Sequence, residues 1–181
     1  LYKISSLNIQ TMIRYTPEKI AALRPNEIFV FGSNLAGHHG GGAASIAHER
    51  FGAVWGIGTG LQGNSYAIPT MQGGIDTIKP YVDEFICFAR LHSELTFYVT
   101  RIGCGIAGFS DSEIAPLFDK AYDVKNIILP ESFYKIINHA RQLNSETNGL
   151  KYHDVPIKFF EENRIKMESM SREEKTNYVQ K

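Results

Sequence analysis

The sequence predicts an α/β protein whose mostly parallel sheet is covered by helices on both faces. Short apolar runs rich in β-forming residues alternate along the chain with stretches that repeat at helical spacing. The strand-like runs are continuously apolar, which is typical of strands buried on both faces of a parallel sheet. Two glycine clusters directly follow such strands, at the edge where α/β sheets bind ligands.

The first strand and helix flank the first glycine cluster. Residues 27–31, Glu-Ile-Phe-Val-Phe, form a short apolar run that ends at Gly32, as a buried strand would. Apolar residues at helical spacing then run from Ala43 to Phe51, and Gly52 supplies a stop signal.

A second strand and helix follow. Residues 65–69 predict a short strand. The wide apolar stripe from Ile78 to Ala89 predicts a helix, with Thr77 as its cap and Pro80 tolerated in its first turn.

The remaining elements repeat the alternation. Residues 95–100, Leu-Thr-Phe-Tyr-Val-Thr, are the clearest strand because they are rich in β-formers. A helix near residues 112–122, a strand at 126–129 and a helix with its apolar face between Phe133 and Ala140 complete the predicted domain.

Beyond about Gln142 the composition changes. Residues 144–149 are polar and predict a loop or linker, and charges dominate from Lys158 onward. Ser171 and Glu174 fit a capping box. The sequence therefore predicts an α/β domain over residues 1–143 and a charge-rich, helical C-terminal appendage over residues 144–181. This appendage is either solvated, docked on the domain or bound to a partner.

Composition excludes several classes of protein. The 181 residues are 43% hydrophobic and 21% charged, with 19 basic and 19 acidic side chains, which argues against a nucleic-acid binder. Cys87 and Cys104 are too few for a disulfide scaffold and form no zinc-binding pair. No apolar run reaches the length of a membrane span. We expect a cytoplasmic protein without a metal or a cofactor.

The first glycine cluster runs from Gly32 through Ser33 and Asn34 to Gly40, Gly41 and Gly42. Consecutive glycines at the start of a helix leave backbone amides uncovered, and these amides and the helix dipole favour an anion. Asn34 suits a ribose hydroxyl because its amide both donates and accepts. The alternative is a flexible turn in which Asn34 satisfies the backbone. The neighbouring His38-His39 pair is poorly suited to one tetrahedral metal ion.

The second glycine cluster has the pattern Gly-x-Gly-x-x-Gly-Phe and predicts a phosphate loop. It follows a late strand and lacks an acidic residue at the end of the next strand, so a dinucleotide Rossmann site is disfavoured. Ser110 and Glu113 predict a capping box after it, with a separate helix near Pro116. Its members are Gly103, Cys104, Gly105, Ile106, Ala107, Gly108 and Phe109.

Three further residues and one stretch have two interpretations each. Cys104 is better explained as a small loop residue than as a nucleophile, because no base is visible for it. The glycine-rich stretch 56–66 is either a substrate-facing loop or an irregular connection. Phe109 and Tyr66 either stack on a ligand ring or belong to the core.

These motifs together resemble the macro domain family. The segment 31–34, Phe-Gly-Ser-Asn, lies where many macro domains carry Asn-Ala-Ala-Asn, with Asn34 at the second asparagine. Residues 40–42 lie at the first glycine loop of that family. Residues 103–109 look like its diphosphate loop, with Cys104 where Ser or Thr is usual. The resemblance spans about residues 28–140.

The resemblance implies a three-layer α/β/α sandwich that binds ADP-ribose or a related nucleotide, free or attached to a macromolecule. Asn34 would face the distal ribose and would be the catalytic residue of a hydrolase. The loop 103–108 would wrap the diphosphate, and Phe109 would stack near the distal ribose.

The sequence departs from the family at its acidic positions. Residues 14–17 lack the early Asp that holds adenine in many macro domains, and Ala44 stands where one hydrolase branch has an Asp. Glu49 is the only carboxylate near the first loop in sequence. These departures favour a binding module over a hydrolase of ADP-ribosyl conjugates. An interaction protein with vestigial loops and a partner-binding C-terminal helix is the alternative from another class.

Overall fold

The structure is a computed structural model that describes residues 13–147. These residues form one sheet and a set of helices that alternate along the chain. The strands are β1 (Glu27–Ser33), β2 (Gly60–Gln62), β3 (Ser65–Pro69), β4 (Thr96–Val99) and β5 (Ile127–Ile128). The helices are α1 (Gly42–Arg50), α2 (Ile75–Leu91), α3 (Asp111–Ile114) and α4 (Glu131–Thr147), with a 3₁₀ helix (Ala115–Ala121) directly after α3.

The strands form a mixed sheet in the order β2-β3-β1-β4-β5. Strand β1 lies at the centre and pairs in parallel with both β3 and β4, and β4 pairs in parallel with β5. Only the β2–β3 pair is antiparallel. The prediction of a mostly parallel sheet is therefore confirmed, and the carboxyl ends of β1, β3 and β4 meet at one edge.

Both faces of the sheet are covered, because successive residues of β1 point to opposite sides. Ile28 and Val30 pack in the larger core, which also contains the buried residues of α2, the 3₁₀ helix and α4. Phe29 and Phe31 pack in a smaller core with the buried residues of α1. This α/β arrangement is compatible with an α/β/α sandwich.

The start of α2 differs from the prediction. The N-cap is Gly74, and Thr77 lies inside the first turn, where its hydroxyl donates to the carbonyl of Gly74 at 2.7 Å. Pro80 consequently lies beyond the first turn, where it removes one helical hydrogen bond. The helix continues through Pro80 because Ile78 and Val82 on either side of it are completely buried in the larger core.

Two predicted loops are partly regular structure. Strand β2 lies inside the glycine-rich stretch 56–66, and its three residues are too few for a periodic signal. Helix α4 continues to Thr147, so residues 144–147 are helical and the predicted loop there is wrong. The rest of the predicted appendage, with Ser171 and Glu174, lies outside the described residues, and the domain boundary stays a prediction. Among residues 13–147, no helix has the length and apolar character needed to cross a bilayer.

Candidate ligand-binding cleft

A cleft with a volume of about 290 Å³ lies at the carboxyl edge of the sheet. The residues that end β1 or directly follow β3 and β4 form its floor, as expected for a ligand site in an open α/β sheet. Both glycine clusters contribute to its walls, which confirms that the fold brings the two clusters together. The lining residues are Gly32, Ser33, Asn34, His38, Gly41, Gly42, Ala43, Ala44, Thr70, Met71, Thr100, Arg101, Ile102, Gly103, Gly105, Ile106 and Ala107.

Asn34 holds the first glycine loop together. Its side-chain amide donates to the carbonyl of His38 at 2.8 Å and accepts from the His38 amide at 3.0 Å. Its own carbonyl accepts from the amide of Gly37 at 2.9 Å. The side chain thus satisfies the backbone, as the turn interpretation expected. One N–H and one lone pair of the amide remain for a group in the cleft.

The loop ends at the N-terminus of α1, which has no side-chain cap. The N-cap is Gly41, and the first turn contains no acidic residue. The first amides of a helix have no partner inside the helix, so they are available to a ligand. Gly41, Gly42, Ala43 and Ala44 all line the cleft. This end of α1 therefore presents free donors and a partial positive charge to the cleft.

The second loop forms the opposite wall. Ile106 is 72% exposed and reaches across the cleft, so that a Cβ added at Gly41 would lie 3.2 Å from its Cδ1. Gly103 has φ +72°, and a Cβ there would press against Ile114 and Phe109. Glycine at position 103 lets the loop pack closely on the domain.

Four of the predicted ligand-binding residues do not line the cleft: Gly40, Cys104, Gly108 and Phe109. Phe109 packs against the larger core beside Gly103, and Tyr66 is buried in that core, so both placements favour the core interpretation. Burial and the nearby Asp111 carboxylate raise the pKa of the Cys104 thiol to about 12. A thiol with that pKa is protonated at neutral pH and is a poor nucleophile.

Arg101 is a cleft residue that the sequence analysis did not assign to the site. Its guanidinium binds the Asp111 carboxylate through contacts of 2.7, 3.0 and 3.1 Å. Of the residues between 13 and 147 that line the cleft, it is the only one with a permanent charge, and none of them carries a carboxylate. Its position directly after the predicted strand was the signal that could have identified it.

The capping box predicted after the second loop is confirmed. The Glu113 carboxylate accepts from the Ser110 amide at 2.8 Å and from its hydroxyl at 2.7 Å. The hydrogen bond from the Ser110 backbone also lowers the pKa of Glu113. The chain then enters the 3₁₀ helix with Pro116 in its first turn, as the sequence predicted.

The glycine-rich stretch before β2 supports the first loop from outside the cleft. The hydroxyl of Ser33 donates to the carbonyl of Gly58 at 2.7 Å. A Cβ at Gly58 would overlap the carbonyl of Asn34, so the two segments pack with no room for a side chain. None of residues 56–66 lines the cleft, which favours the interpretation as a connection.

The two adjacent histidines have different surroundings. His39 is buried, and its Nε2 lies 3.0 and 3.2 Å from the carbonyls of Val54 and Ile57. His38 is exposed, lines the cleft and stacks on Trp55 with 5.5 Å between ring centroids. Within residues 13–147, no three His, Cys, Asp or Glu side chains form a group that could hold a metal ion.

Comparisons of the chain with protein-family models, with curated proteins and with solved structures find no match. The likeness to macro domains therefore depends on the motif residues alone. A function has to be argued from the geometry and charge of the cleft.

Proposed function

We propose that this protein binds ADP-ribose, or a related nucleotide with a diphosphate, in the cleft between its two glycine loops. The observation that carries the proposal is the uncapped first turn of α1, which opens into a cleft where the described part of the chain places Arg101 and no carboxylate. Free helix amides and a guanidinium are the donors that phosphate groups prefer.

The size of the cleft supports a diphosphate with its adjoining sugar. Pockets for small molecules usually have volumes of about 300–1,000 Å³, so a cleft of about 290 Å³ is small for a complete nucleotide sugar. The phosphates would bind at Gly41 and Gly42, with the main chain of Gly105 on the other side. The remaining N–H and lone pair of Asn34 would meet a ribose hydroxyl.

Binding is favoured over hydrolysis by the chemistry of the lining side chains. Hydrolysis needs a general base near the reacting water, and none of the lining residues that the structure describes carries a carboxylate. We therefore favour a module that recognises ADP-ribose, either free or attached to a macromolecule.

Calorimetry with ADP-ribose, NAD, AMP and cyclic derivatives tests this function. We expect binding of ADP-ribose, and at least ten-fold weaker binding by the variant Gly105→Val, which is equivalent to about 1.4 kcal/mol. A Cβ at Gly105 meets no atom within 4 Å, so the variant should fold while its side chain fills the path of the phosphates.

Gly40→Val is the matched control. A Cβ at Gly40 also meets no atom within 4 Å, but Gly40 does not line the cleft, so affinity should stay within two-fold of the wild type. No heat with any of the nucleotides would reject the proposed function in favour of an interaction protein. Equal losses in both variants would show that the cleft is not where the ligand binds.

A further inference from the structure

His38, which lines the cleft, and Trp55, which stacks on it and does not line the cleft, form what we call the aromatic platform. Their ring centroids are 5.5 Å apart, and the ring planes differ by 25°. The edges of Trp55 also meet the rings of His39 and His48, at 6.3 and 6.0 Å between centroids. The indole is therefore held in a fixed orientation by three neighbouring imidazoles.

Packing of the domain does not explain the position of Trp55. The indole is 54% exposed, and it does not belong to the smaller core formed by Phe29, Phe31 and Phe51. Leu35 and Ile57, in the two segments that carry the platform, are 52% and 46% exposed. A cluster of exposed large apolar side chains beside a polar cleft is typical of a binding surface.

The platform is connected to the cleft through His38. His38 lines the cleft, and its backbone is fixed by the side-chain amide of Asn34. The ring nitrogens of His38 make no hydrogen bond to residues 13–147, so the ring is not committed to another part of the fold. A group that extends out of the cleft past Asn34 therefore meets the His38–Trp55 pair.

We infer that the aromatic platform is the subsite for the base of the bound nucleotide, so that the ribose at Asn34 is the one that carries the base and not the distal ribose that the resemblance implied. This inference rests on the proposed function. The cleft accommodates a diphosphate and a sugar, so the base must lie outside it, and a planar heterocycle is the ligand group that two near-parallel rings recognise. Stacking on aromatic side chains accepts any base because every base has a π face. The platform thus selects for the presence of a base and only weakly for its identity.

The experiment compares ADP with ribose 5-diphosphate, which differs from ADP only by the missing base. We expect ADP to bind about ten-fold more tightly to the wild type. Trp55→Ala should remove this difference and leave the affinity for ribose 5-diphosphate unchanged, whereas Trp55→Phe should keep most of it. Trp55 is the only tryptophan of the chain, so ADP should also quench its fluorescence more than ribose 5-diphosphate does.

Val54→Ala is the matched control, because Val54 is 47% exposed and adjacent to Trp55 but is not part of the stack. Equal affinities for the two ligands in the wild type, or an ADP preference that persists in Trp55→Ala, would overturn the platform while leaving phosphate binding intact. If the platform instead binds an aromatic side chain of a protein partner, ADP and ribose 5-diphosphate should likewise bind with equal affinity. Absence of binding of both ligands to the wild type would overturn the proposed function itself and the platform with it.

Discussion

The loops after β1 and β4 carry similar glycine patterns, but they lead into different helix starts. The first loop leads into α1, a nine-residue helix with a glycine N-cap, no side-chain cap and no acid in its first turn. The second leads into the four-residue α3, whose start is closed by the Ser110–Glu113 box and which has Asp111 and Glu113 in its first turn. Only the first helix start is open to an anion.

This difference assigns different roles to the two loops. The free amides and the dipole of α1 supply the attraction for phosphate, because an acid-free helix start keeps its partial positive charge. In α3, Glu113 accepts from the amide of Ser110 at the start of the helix, and Asp111 holds Arg101 in place. The second loop is therefore mainly a wall, made of close-packed main chain and Ile106, and the charged groups beside it are the paired Arg101 and Asp111.

The largest effect is expected when the first helix start is given the acidic character of the second. Ala43→Asp adds a carboxylate to the first turn of α1 in a position that lines the cleft. The helix dipole stabilises an acid at this position, so the variant should fold as well as the wild type. The new carboxylate, however, repels a phosphate that binds at the same amides. We expect ADP-ribose affinity to fall about 100-fold, or about 2.7 kcal/mol, in calorimetry.

Ala43→Asn is the control that separates charge from size. The asparagine has the shape of the aspartate without its charge, so it should lose less than ten-fold in affinity. Equal losses in the two variants would mean that the first helix start does not attract the ligand by its charge.

A second contrast is between the residue that organises the first loop and the cysteine in the second. Asn34→Ala removes two hydrogen bonds to the His38 backbone, so we expect about a ten-fold loss of ligand affinity. Cys104→Ser should stay within two-fold, because the thiol does not line the cleft. Titration of both variants with ADP-ribose measures the ranking. The reverse order would contradict the roles given to the two loops.

Much of the fold was predictable because its signals are local. The apolar run before Gly32 and the stripe on α2 are buried as their periodicity predicts. The short antiparallel strand β2 was missed because three residues in a glycine-rich stretch carry no period. The helical state of residues 144–147 was missed because polar residues at the end of a helix resemble a loop in composition.

The location of the site could be predicted from the sequence, but the orientation of its side chains could not. Glycine patterns located both loops, because strand ends in parallel sheets share one edge. Nothing in the sequence indicates that Cys104 and Phe109 turn towards the interior while Ile106, between them in the chain, is exposed. The His38–Trp55 contact joins residues 17 positions apart in two loops, and such a pairing has no local pattern.

The smallest effect is expected from the ion pair that fixes Arg101, and its pH dependence is its signature. Burial acts to raise the pKa of the Asp111 carboxyl, but hydrogen bonds from Arg101, Cys104 and Ser132, together with the charge of Arg101, outweigh burial and hold the pKa below its ordinary value of 3.8. A lowered pKa in the folded state adds stability above the ordinary pKa, and this stability is lost as the pH falls through the folded value.

Because the Arg101 side chain is 61% exposed, we expect Asp111→Asn to cost only about 1 kcal/mol in the free energy of unfolding at pH 7. Denaturant titrations should show this difference shrinking below pH 3.8, whereas Glu49→Gln, at an exposed glutamate near the end of α1, should differ little from the wild type at pH 7. A difference for Asp111→Asn that is as large in acid as at pH 7 would mean that the charge of the carboxylate is not what holds the second loop.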